Sequence, residues 1–422
     1  MLLFFYNIVV VVAFALLRMA KPFMRHDSKI RRFIYGQQRV MHRLEAIRSD
    51  LANERIIWVH ASSYGEYNII RPVLQQIREK TPYKILFTFF SVTGIDTLAG
   101  WTINQSQADH ILYLPLDSRS RVRQFLDAVK PEKAVFVKSE FWPNYLHALR
   151  QRRIPTYLVS AVVSDRSALL RWYGHLLFGE AVKTFTHATT LSEVSLRNMQ
   201  KAGIENAELS GDPLFDYVAT MAQRDYSNPI VERFPQSAGG RLFICGSIND
   251  ANDLELVSHL AKKHPDTKFL FVPHEVSSRR LWTIESHTQG RSKRYSLCTD
   301  QEDFSATQIL IIDFVGALSR LYRYGTWAYV GGGFTPLIHS IIEPVAYGLP
   351  VAFGPRIEKH ITPRQVAAIG VGTIVQSADD IDQWFTALKH ADDKLADIRE
   401  KAMRYTRQNQ GATQHIVQLI CQ

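Results

Sequence analysis

The segment HASSYGEY places a carboxylate at the point where a predicted strand gives way to a predicted helix. The apolar run Ile56–His60 predicts the strand, Ser63 and Gly65 belong to the turn, and the helix begins near Glu66. Exposed backbone amides stabilise a carboxylate at a helix N-terminus, so Glu66 can be simply a helix cap. It can also be the general base that a hydroxyl needs when it attacks an electrophilic carbon. The local sequence leaves both interpretations open.

A second group of charges follows another predicted strand, in the segment KSEFWPN. Lys138 and Glu140 lie just beyond the strand, and Trp142 with Pro143 favours a rigid helix start. These charges can bind a ligand or form a salt-bridged helix cap beside a core tryptophan. After the next strand, SDRS carries Arg166, whose guanidinium can meet a phosphate or carboxylate or stay solvated.

Three strand ends in the second half of the chain carry groups that suit a phosphorylated ligand. They are GSIND with Gly246 and Ser247, VPHE with Pro273 and His274, and DFVGAL with Asp313 and Gly316. The Gly-Ser turn offers backbone amides and a hydroxyl to a phosphate at a helix N-terminus. Gly316 lets a ligand approach the backbone closely. A single Gly-Ser turn is unspecific.

The densest pattern is YVGGGFTPLIHSIIEPVAYGLPVAFGP, residues 329–355. Glycines around Gly332 close a strand, His339 lies four residues before Glu343, and Glu343 begins a short helix. A carboxylate there can accept hydrogen bonds from both hydroxyls of a ribose. The order of strand, glycines, Glu-Pro, helix and Gly-x-Pro turn is more specific than any one of these elements, although other nucleotide-sugar enzymes can share it.

Two series of apolar strands alternating with helices must position these groups. Such alternation predicts parallel sheets covered on both faces, hence two doubly wound α/β domains with ligands at the carboxyl ends of the strands, in a cleft between the domains. The predicted strands are Ile56–His60, Lys84–Phe90, His110–Pro115, Lys133–Lys138 and Pro155–Ser160, then Arg241–Gly246, Lys268–Pro273, Gln308–Asp313, Trp327–Gly332 and Leu349–Gly354. The predicted domains are residues 25–224 and 241–392, joined by a Pro/Gly/Ser-rich linker over 225–240, with a C-terminal helical segment over 393–422 that covers the second domain or crosses back to the first.

The N-terminus predicts a membrane anchor over residues 1–24. Leu2–Leu17 carries no charge, and Arg18, Lys21 and Arg25 follow it. The positive-inside rule then places the rest of the chain in the cytoplasm. The apolar run is slightly short for a square crossing, so it either spans the membrane or lies in its interface; a buried first helix and a cleaved signal are the alternatives.

The composition is that of a globular protein, with 46% hydrophobic and 21% charged residues. Three widely spaced cysteines indicate neither a disulfide scaffold nor a zinc site and fit a reducing compartment. A formal net charge of +10 suits nucleic acid, an anionic membrane or a phosphorylated substrate. The apolar N-terminus favours the membrane, so no nucleic-acid partner is expected.

In this order, the motifs resemble those of bacterial 3-deoxy-D-manno-oct-2-ulosonic acid (Kdo) transferases. The resemblance is carried by HASSYGE, SEFWPN, the following Asp-Arg-Ser, GSIND, the Val-Pro turn, Asp313 with Gly316, and GGGF…H…EP…YGLPV…GP. It runs from the anchor to about Gly372, and the combination is far more specific than any single motif.

The resemblance implies a GT-B fold, with two Rossmann-like domains, at the cytoplasmic face of the inner membrane. It implies CMP-β-Kdo as the donor, a lipid A precursor as the acceptor, inversion at the transferred sugar, and no metal or separate cofactor. Glu66 matches the catalytic base. Glu140 matches an acceptor-side position, and Ser247, Pro273, Gly316 and Glu343 match donor-side positions. The other residues predicted on the acceptor side are Ser63, Gly65, Lys138 and Arg166, and those predicted on the donor side are Gly246, His274, Asp313, Gly332 and His339.

Several positions depart from the commoner family pattern. Lys138 replaces an acidic residue, Val162 an arginine, and Ala317 an acidic residue. Pro-His-Glu stands at 273–275 instead of Pro-Arg-His, and Leu-Ile-His-Ser at 337–340 instead of Gly-Gly-His-Asn. The departures concentrate on the donor side, so the sequence predicts a divergent branch that retains Glu66.

Three other functions are compatible with parts of this pattern. One is a GT-B transferase with another donor, such as a UDP-sugar, and another is an inactive lipid-binding protein on the membrane. A nicotinamide-dependent oxidoreductase shares the fold type, but no convincing G-x-G-x-x-G follows a strand.

Overall fold

The computed structural model describes residues 2–26, 28–335, 338–358 and 360–422. Met1 of the predicted anchor and Leu337 of the altered motif lie outside the described residues, as do Asp27, Pro336 and Lys359. The chain divides into two compact units. Unit 1 consists of Met1–Tyr217 and Gln410–Gln422, and unit 2 of Val218–Asn409.

Unit 1 is built on a seven-stranded parallel sheet with the order β3-β2-β1-β4-β5-β6-β7. Every residue of the central strands β1 and β5 is buried, because helices cover both faces of a parallel sheet. The strands are β1 (Ile56–Ala61), β2 (Lys84–Phe89), β3 (His110–Tyr113), β4 (Lys133–Val137), β5 (Thr156–Ala161), β6 (Phe185–Thr190) and β7 (Ala207–Leu209).

The helices of unit 1 alternate with the strands from α4 onward, as in doubly wound folds, and α1, α2 and α3 precede the first strand. They are α1 (Leu2–Ala20), α2 (Lys29–Ala46), α3 (Arg48–Leu51), α4 (Tyr64–Lys80), α5 (Val92–Leu98), α6 (Ile103–Ser106), α7 (Arg119–Val129), α8 (Pro143–Gln151), α9 (Trp172–Phe178), α10 (Glu193–Lys201) and α11 (Pro213–Gln223), within which the unit boundary falls. One core layer surrounds Trp58, whose indole contacts the rings of Phe125, Phe136 and Tyr145.

Unit 2 repeats this architecture with the order β10-β11-β9-β8-β12-β13-β14, again all parallel. Its strands are β8 (Leu242–Ile248), β9 (Lys268–Pro273), β10 (Ser292–Arg294), β11 (Ile309–Ile311), β12 (Trp327–Val330), β13 (Val351–Phe353) and β14 (Gly372–Ile374). Its helices are α12 (Pro229–Arg233), α13 (Ala251–Lys263), α14 (Ser278–Thr288), α15 (Leu318–Leu321), α16 (Ile342–Ala346), α17 (Ile361–Ala368), α18 (Ala378–Lys389) and α19 (Asp392–Gln408). The last helix, α20 (Ala412–Cys421), belongs to unit 1.

The segment assigned to a linker lies inside unit 2. Residues 225–240 include α12, and Val231 and Phe234 are buried there. Phe234 packs edge-on against Phe304, which explains why this Pro- and Gly-rich stretch is ordered. The predicted C-terminal segment 393–422 is divided: α19 lies in unit 2, and α20 packs against α4 in unit 1.

Helix α1 is the feature of the N-terminus that bears on location. With the short turn that follows it, it forms a helix from Leu2 to Phe23 that is long and apolar enough to cross a membrane, and none of its most apolar stretch is buried. The alternative of a buried first helix is therefore wrong: its apolar side chains, such as Phe4 and Val9, are exposed. Such a helix fits a membrane anchor.

Candidate functional site

The topological switch point of unit 1 lies between β1 and β4, which are neighbours in the sheet although two strands separate them in sequence. Ligands of doubly wound sheets bind at the carboxyl ends of strands at such a point. Glu66 lies shortly after β1, and Glu140 shortly after β4. The fold therefore brings the two predicted carboxylates to one edge of the sheet.

Glu66 is held by a reciprocal cap at the start of α4. The helix begins at Tyr64, slightly earlier than predicted, with Ser63 as its N-cap. The Ser63 hydroxyl accepts a hydrogen bond from the Glu66 amide at 3.4 Å, and the Ser63 amide donates to Glu66 Oε2 at 3.0 Å. Gly65 is exposed, and an added Cβ there would meet only the Ser63 hydroxyl at 3.8 Å, so the backbone does not require glycine. The capping role and a role as a base are compatible, because Oε1 is not used in this cap.

Glu140 is largely buried among hydrogen-bond donors. The Trp142 indole donates to its Oε2 at 2.7 Å, and His60 Nε2 lies 3.3 Å from the same oxygen, an electrostatic contact without good hydrogen-bond alignment. The other nitrogen of the fully buried His60, Nδ1, is held by Thr88. Burial alone would raise the pKa of Glu140, but His60, Ser62 and Trp142 favour the carboxylate and hold its pKa below the usual value.

The two carboxyl groups are shifted in opposite directions. Burial raises the pKa of Glu66, and the negative charge of Glu140 adds to the rise. The Ser62 and Ser63 backbone and His60 oppose this rise without cancelling it. A pair of carboxyl groups whose pKa values are pushed apart is typical of sites that move protons. Glu66 is suited to accept a proton, and Glu140 to remain charged.

We expect Glu140→Gln to move the acid limb of the pH–activity profile to lower pH. A general base works only when ionised, so with Glu66 in that role activity would rise as pH increases through the pKa of Glu66. Removing the negative charge of Glu140 removes one of the causes that raise this pKa. The kcat/KM profile of the variant should therefore begin to rise at a lower pH than that of the wild type, whatever happens to its maximum. An unchanged or alkaline-shifted limb would contradict the coupling.

Two basic residues predicted on the acceptor side occupy different settings. Lys138 directly follows β4 and lies in the left-handed region with φ +68°, and its amide donates to Val159 O at 2.8 Å. Its charge acts on Asp212, whose pKa is raised by burial and partly lowered again by Lys138. Arg166 is exposed on the loop after β5. Sequence reasoning missed Asp212, although it stands directly before a proline at a helix start, a position where aspartate is common.

The switch point of unit 2 lies between β8 and β12, where Gly246 is paired with Val330. The backbones are very close here: a Cβ on Gly331 would lie 2.3 Å from the Ser247 carbonyl oxygen. A Cβ on Gly246 would lie 2.1 Å from the Tyr322 hydroxyl oxygen. Ser247 has φ +54° and Gly332 φ +88°. The backbone at Gly246 and Gly331 therefore leaves no room for a side chain. We call the group Gly246, Ser247, Gly331 and Gly332 the backbone cradle.

Asp253 holds this cradle together and was missed by sequence reasoning. It is fully buried on the first turn of α13. Its Oδ2 accepts from the amides of Asn249 at 3.0 Å and Gly332 at 2.9 Å, and its Oδ1 from the Tyr329 hydroxyl at 2.6 Å. One carboxylate thus joins the ends of β8 and β12. The capping pattern Asp250-x-x-Asp253 signals the helix start, but the partner Gly332 is too distant in sequence for that pattern to reveal.

His274 and His339 form a stacked pair, with ring centroids 4.2 Å apart and an interplanar angle of 28°. Burial lowers the pKa of His339 to about 4, and the neighbouring His274 contributes. His339 Nε2 is buried without a hydrogen-bond partner among the described residues. At neutral pH His339 is thus an uncharged hydrogen-bonding group and not a cation. His274 follows Pro273, the last residue of β9, and its amide donates to Ile248 O at 3.0 Å.

The remaining donor-side candidates differ in accessibility. Glu343 lies in α16, where the Ser319 hydroxyl donates to its Oε1 at 2.6 Å. Burial raises the pKa of Glu343, and Ser319 opposes the rise. Both oxygens of Asp313 accept from Ser296, through its amide and its hydroxyl, so this carboxylate also supports a local turn. Gly316 has φ +88°, and nothing lies within 4 Å of the position of an added Cβ, which leaves its backbone open to a ligand.

Metal-ligating side chains are not clustered: the described ranges contain no group of three or more His, Cys, Asp or Glu side chains that could hold a metal ion.

Comparison with known proteins gives three results. A family model described as 3-Deoxy-D-manno-octulosonic-acid transferase (kdotransferase) matches residues 38–217, within unit 1. A 3-deoxy-D-manno-octulosonic acid transferase from Haemophilus influenzae is 25% identical over 387 residues, 86% of this chain and 86% of that protein. A bifunctional glycosyltransferase/methyltransferase from Fusobacterium nucleatum is 25% identical over 355 residues, 83% of this chain; the chain spans 53% of that longer protein.

Solved structures show the same fold at low identity. A UDP-GlcNAc 2-epimerase from Neisseria meningitidis bound to UDP-GlcNAc has a TM-score of 0.60 and 13% identity, covering 86% of this chain and 98% of that one. MurG from Acinetobacter baumannii has a TM-score of 0.52 and 12% identity, covering 87% and 99%. The two parallel-sheet units have GT-B architecture. The family model over residues 38–217 and the curated relatives at about a quarter identity support a divergent relationship of this chain to the 3-deoxy-D-manno-octulosonic-acid (Kdo) transferase family.

Proposed function

We propose that this chain is an inverting glycosyltransferase that moves Kdo from CMP-Kdo to a lipid A precursor at the cytoplasmic face of the inner membrane. Similarity to the Kdo transferase family supports the sugar. The observation that carries the chemistry is the pair of Glu66 and Glu140 at the switch point of unit 1, with the pKa of Glu66 raised and that of Glu140 lowered.

Glu66 acts as the general base of this reaction. A hydroxyl of the acceptor loses its proton to the Glu66 carboxylate and attacks the anomeric carbon of Kdo from the face opposite CMP. The bond from that carbon to the phosphate oxygen breaks, its electron pair leaves with CMP, and the configuration inverts. Glu140 stays ionised and, with Lys138, binds polar groups of the acceptor.

Unit 2 binds the nucleotide part of the donor. The backbone cradle presents its main-chain groups near the N-terminus of α13, where a helix favours a phosphate. The phosphate contacts the unobstructed backbone of Gly316, and Glu343 accepts hydrogen bonds from the ribose hydroxyls. These fixed dipoles stabilise the charge that develops on departing CMP. Neutral His339, stacked on His274, offers hydrogen bonds without adding charge.

The deciding experiment is incubation of the purified full-length chain with CMP-Kdo and a tetraacylated lipid A precursor, followed by mass analysis of the lipid. Addition of one or more Kdo residues is expected, and the number of additions gives the multiplicity. Parallel reactions with UDP-sugars test the other donor class. No product from CMP-Kdo, or product only from a UDP-sugar, would refute the proposed donor.

We expect CMP to protect the chain against thermal unfolding and UDP not to do so. A ligand that binds only the folded state stabilises it by about 2.7 kcal/mol when present at 100 times its Kd. Differential scanning fluorimetry over a range of CMP and UDP concentrations measures this directly. Equal protection by both nucleotides, or protection by UDP alone, would contradict recognition of the cytosine base.

A further inference from the structure

Polar contacts in the N-terminal half of α1 hold this helix against the rest of unit 1. The Tyr6 hydroxyl donates to Asp117 Oδ2 at 2.9 Å. The Asn7 amide group donates to Asn144 Oδ1 at 3.1 Å, and Asn7 Oδ1 accepts from the Arg119 backbone amide at 2.8 Å. These are the two polar side chains of an otherwise apolar helix stretch, and both are bound to unit 1.

Between Leu2 and Leu17, the partly covered positions of α1 form a single stripe. They are Leu3, Tyr6, Asn7, Val10 and Phe14, with exposed residues between them. This spacing is that of one helical face. The stripe lies against the unit along most of the helix, while large side chains on the other faces, such as Phe4, Val9 and Leu16, are exposed.

The partners of this stripe cannot enter the hydrocarbon core of a membrane. Asp117 lies in an irregular loop before α7, and its carboxylate also accepts from the amides of Asn144 and Tyr145 at the start of α8. Irregular backbone does not occur at lipid-exposed positions inside a bilayer, and charged side chains are costly there. If α1 stood upright with Arg18 at the interface, Asn7 would lie about 16 Å deeper, at a rise of 1.5 Å per residue. That depth is about the middle of a hydrocarbon core roughly 30 Å thick.

A second apolar element lies beside α1. Helix α9 contacts α1, and it exposes Trp172, Tyr173 and Leu176. Gly174 lets α9 lie against the preceding turn, because a Cβ there would be 1.8 Å from the Ala168 carbonyl oxygen. Exposed aromatic side chains on a helix are typical of the membrane interface. The exposed arginines Arg18 in α1, Arg119 at the contact with Asn7, and Arg171 at the start of α9 suit anionic headgroups.

We infer that α1 does not cross the bilayer but lies in its interface, side by side with α9, and that both elements insert into one leaflet of an anionic membrane. The inference rests on the proposed membrane location and goes beyond it by fixing how the chain is seated. It is independent of which sugar is transferred.

The test is a depth profile along α1. With Cys298 and Cys421 replaced by serine, nitroxide labels are placed one at a time by cysteine substitution at exposed positions from Phe4 to Leu16, in the full chain bound to vesicles containing anionic phospholipid. Collision rates with oxygen and with a water-soluble nickel complex report depth. An interfacial helix gives depths that oscillate with the helical period and stay within one leaflet. A depth that rises and falls once, with Phe4 and Leu16 in opposite leaflets, would overturn the inference.

Tryptophan fluorescence supplies a second readout with a matched control. Trp172 on α9 is 74% exposed and Trp282 in unit 2 is 67% exposed. Vesicles with brominated acyl chains should quench part of the tryptophan emission of the wild type and of the Trp282→Phe variant. The fraction quenched should be clearly smaller in the Trp172→Phe variant. Equal quenching in the two variants would show that α9 does not lie at the membrane surface. Failure of the chain to bind vesicles at all would refute the membrane location as well, whereas loss of CMP-Kdo turnover alone would leave these measurements unchanged.

Discussion

Glu66→Gln is expected to slow sugar transfer by about 10²–10⁴-fold, the usual contribution of general-base catalysis. Glutamine cannot take a proton from the acceptor hydroxyl. It does keep the shape of the side chain, and its carbonyl oxygen can still accept from the Ser63 amide, because glutamine also serves in this type of cap. Folding and nucleotide binding should therefore be preserved, so that the loss falls on kcat and not on CMP affinity.

Single-turnover rates with CMP-Kdo and lipid acceptor, alongside CMP protection in thermal unfolding, measure the two quantities separately. Glu79→Gln is the matched control, since Glu79 is an exposed glutamate near the other end of α4. The control should react at the wild-type rate. If Glu66→Gln reacted at that rate as well, Glu66 would have no role as a base.

Asp253→Ala is expected to lower the free energy of unfolding by about 3 kcal/mol, since each buried donor left without a partner costs about 1–3 kcal/mol. The substitution deprives the amides of Asn249 and Gly332 and the Tyr329 hydroxyl of their acceptor. Because these donors hold the ends of β8 and β12 together, CMP protection should be lost with the stability.

Urea denaturation compares the variant with Glu255→Ala, which removes an exposed carboxylate from the same helix. The control should stay within about 0.5 kcal/mol of the wild type. A variant at Asp253 that is as stable as the control and still binds CMP would show that the cradle does not depend on this carboxylate.

The central strands of both sheets are predictable from sequence because they are continuous apolar runs. β1, β2, β4, β5, β8 and β9 all coincide closely with such runs. The strands that escape prediction are β7, β10 and β14, which are short and only partly buried at the edges, and β6, whose FTHATT sequence is polar. Their strand character comes from pairing with a neighbour, which a local pattern does not contain.

The candidate site, like the sheets, is predictable from sequence only in part. Strand-end positions such as Glu66, Glu140 and Ser247 can be predicted, because a parallel sheet gathers its carboxyl ends at one edge. Long-range partnerships cannot: His60 beneath Glu140, Ser296 on Asp313 and Asp253 between two strand ends depend on the folded chain. The stacking of His274 on His339 likewise joins two motifs that sequence reasoning treats separately.

Helix α20 has a consequence for how the protein is made. Ile416, Val417 and Ile420 are part of the same apolar core as Tyr67, Ile70 and other residues of α4, the helix that carries Glu66. In the order of synthesis these residues follow the whole of unit 2. One flank of α4 thus stays uncovered until α20 has been synthesised, and a message truncated just before Ala412 would yield a protein whose proposed catalytic helix lacks this support.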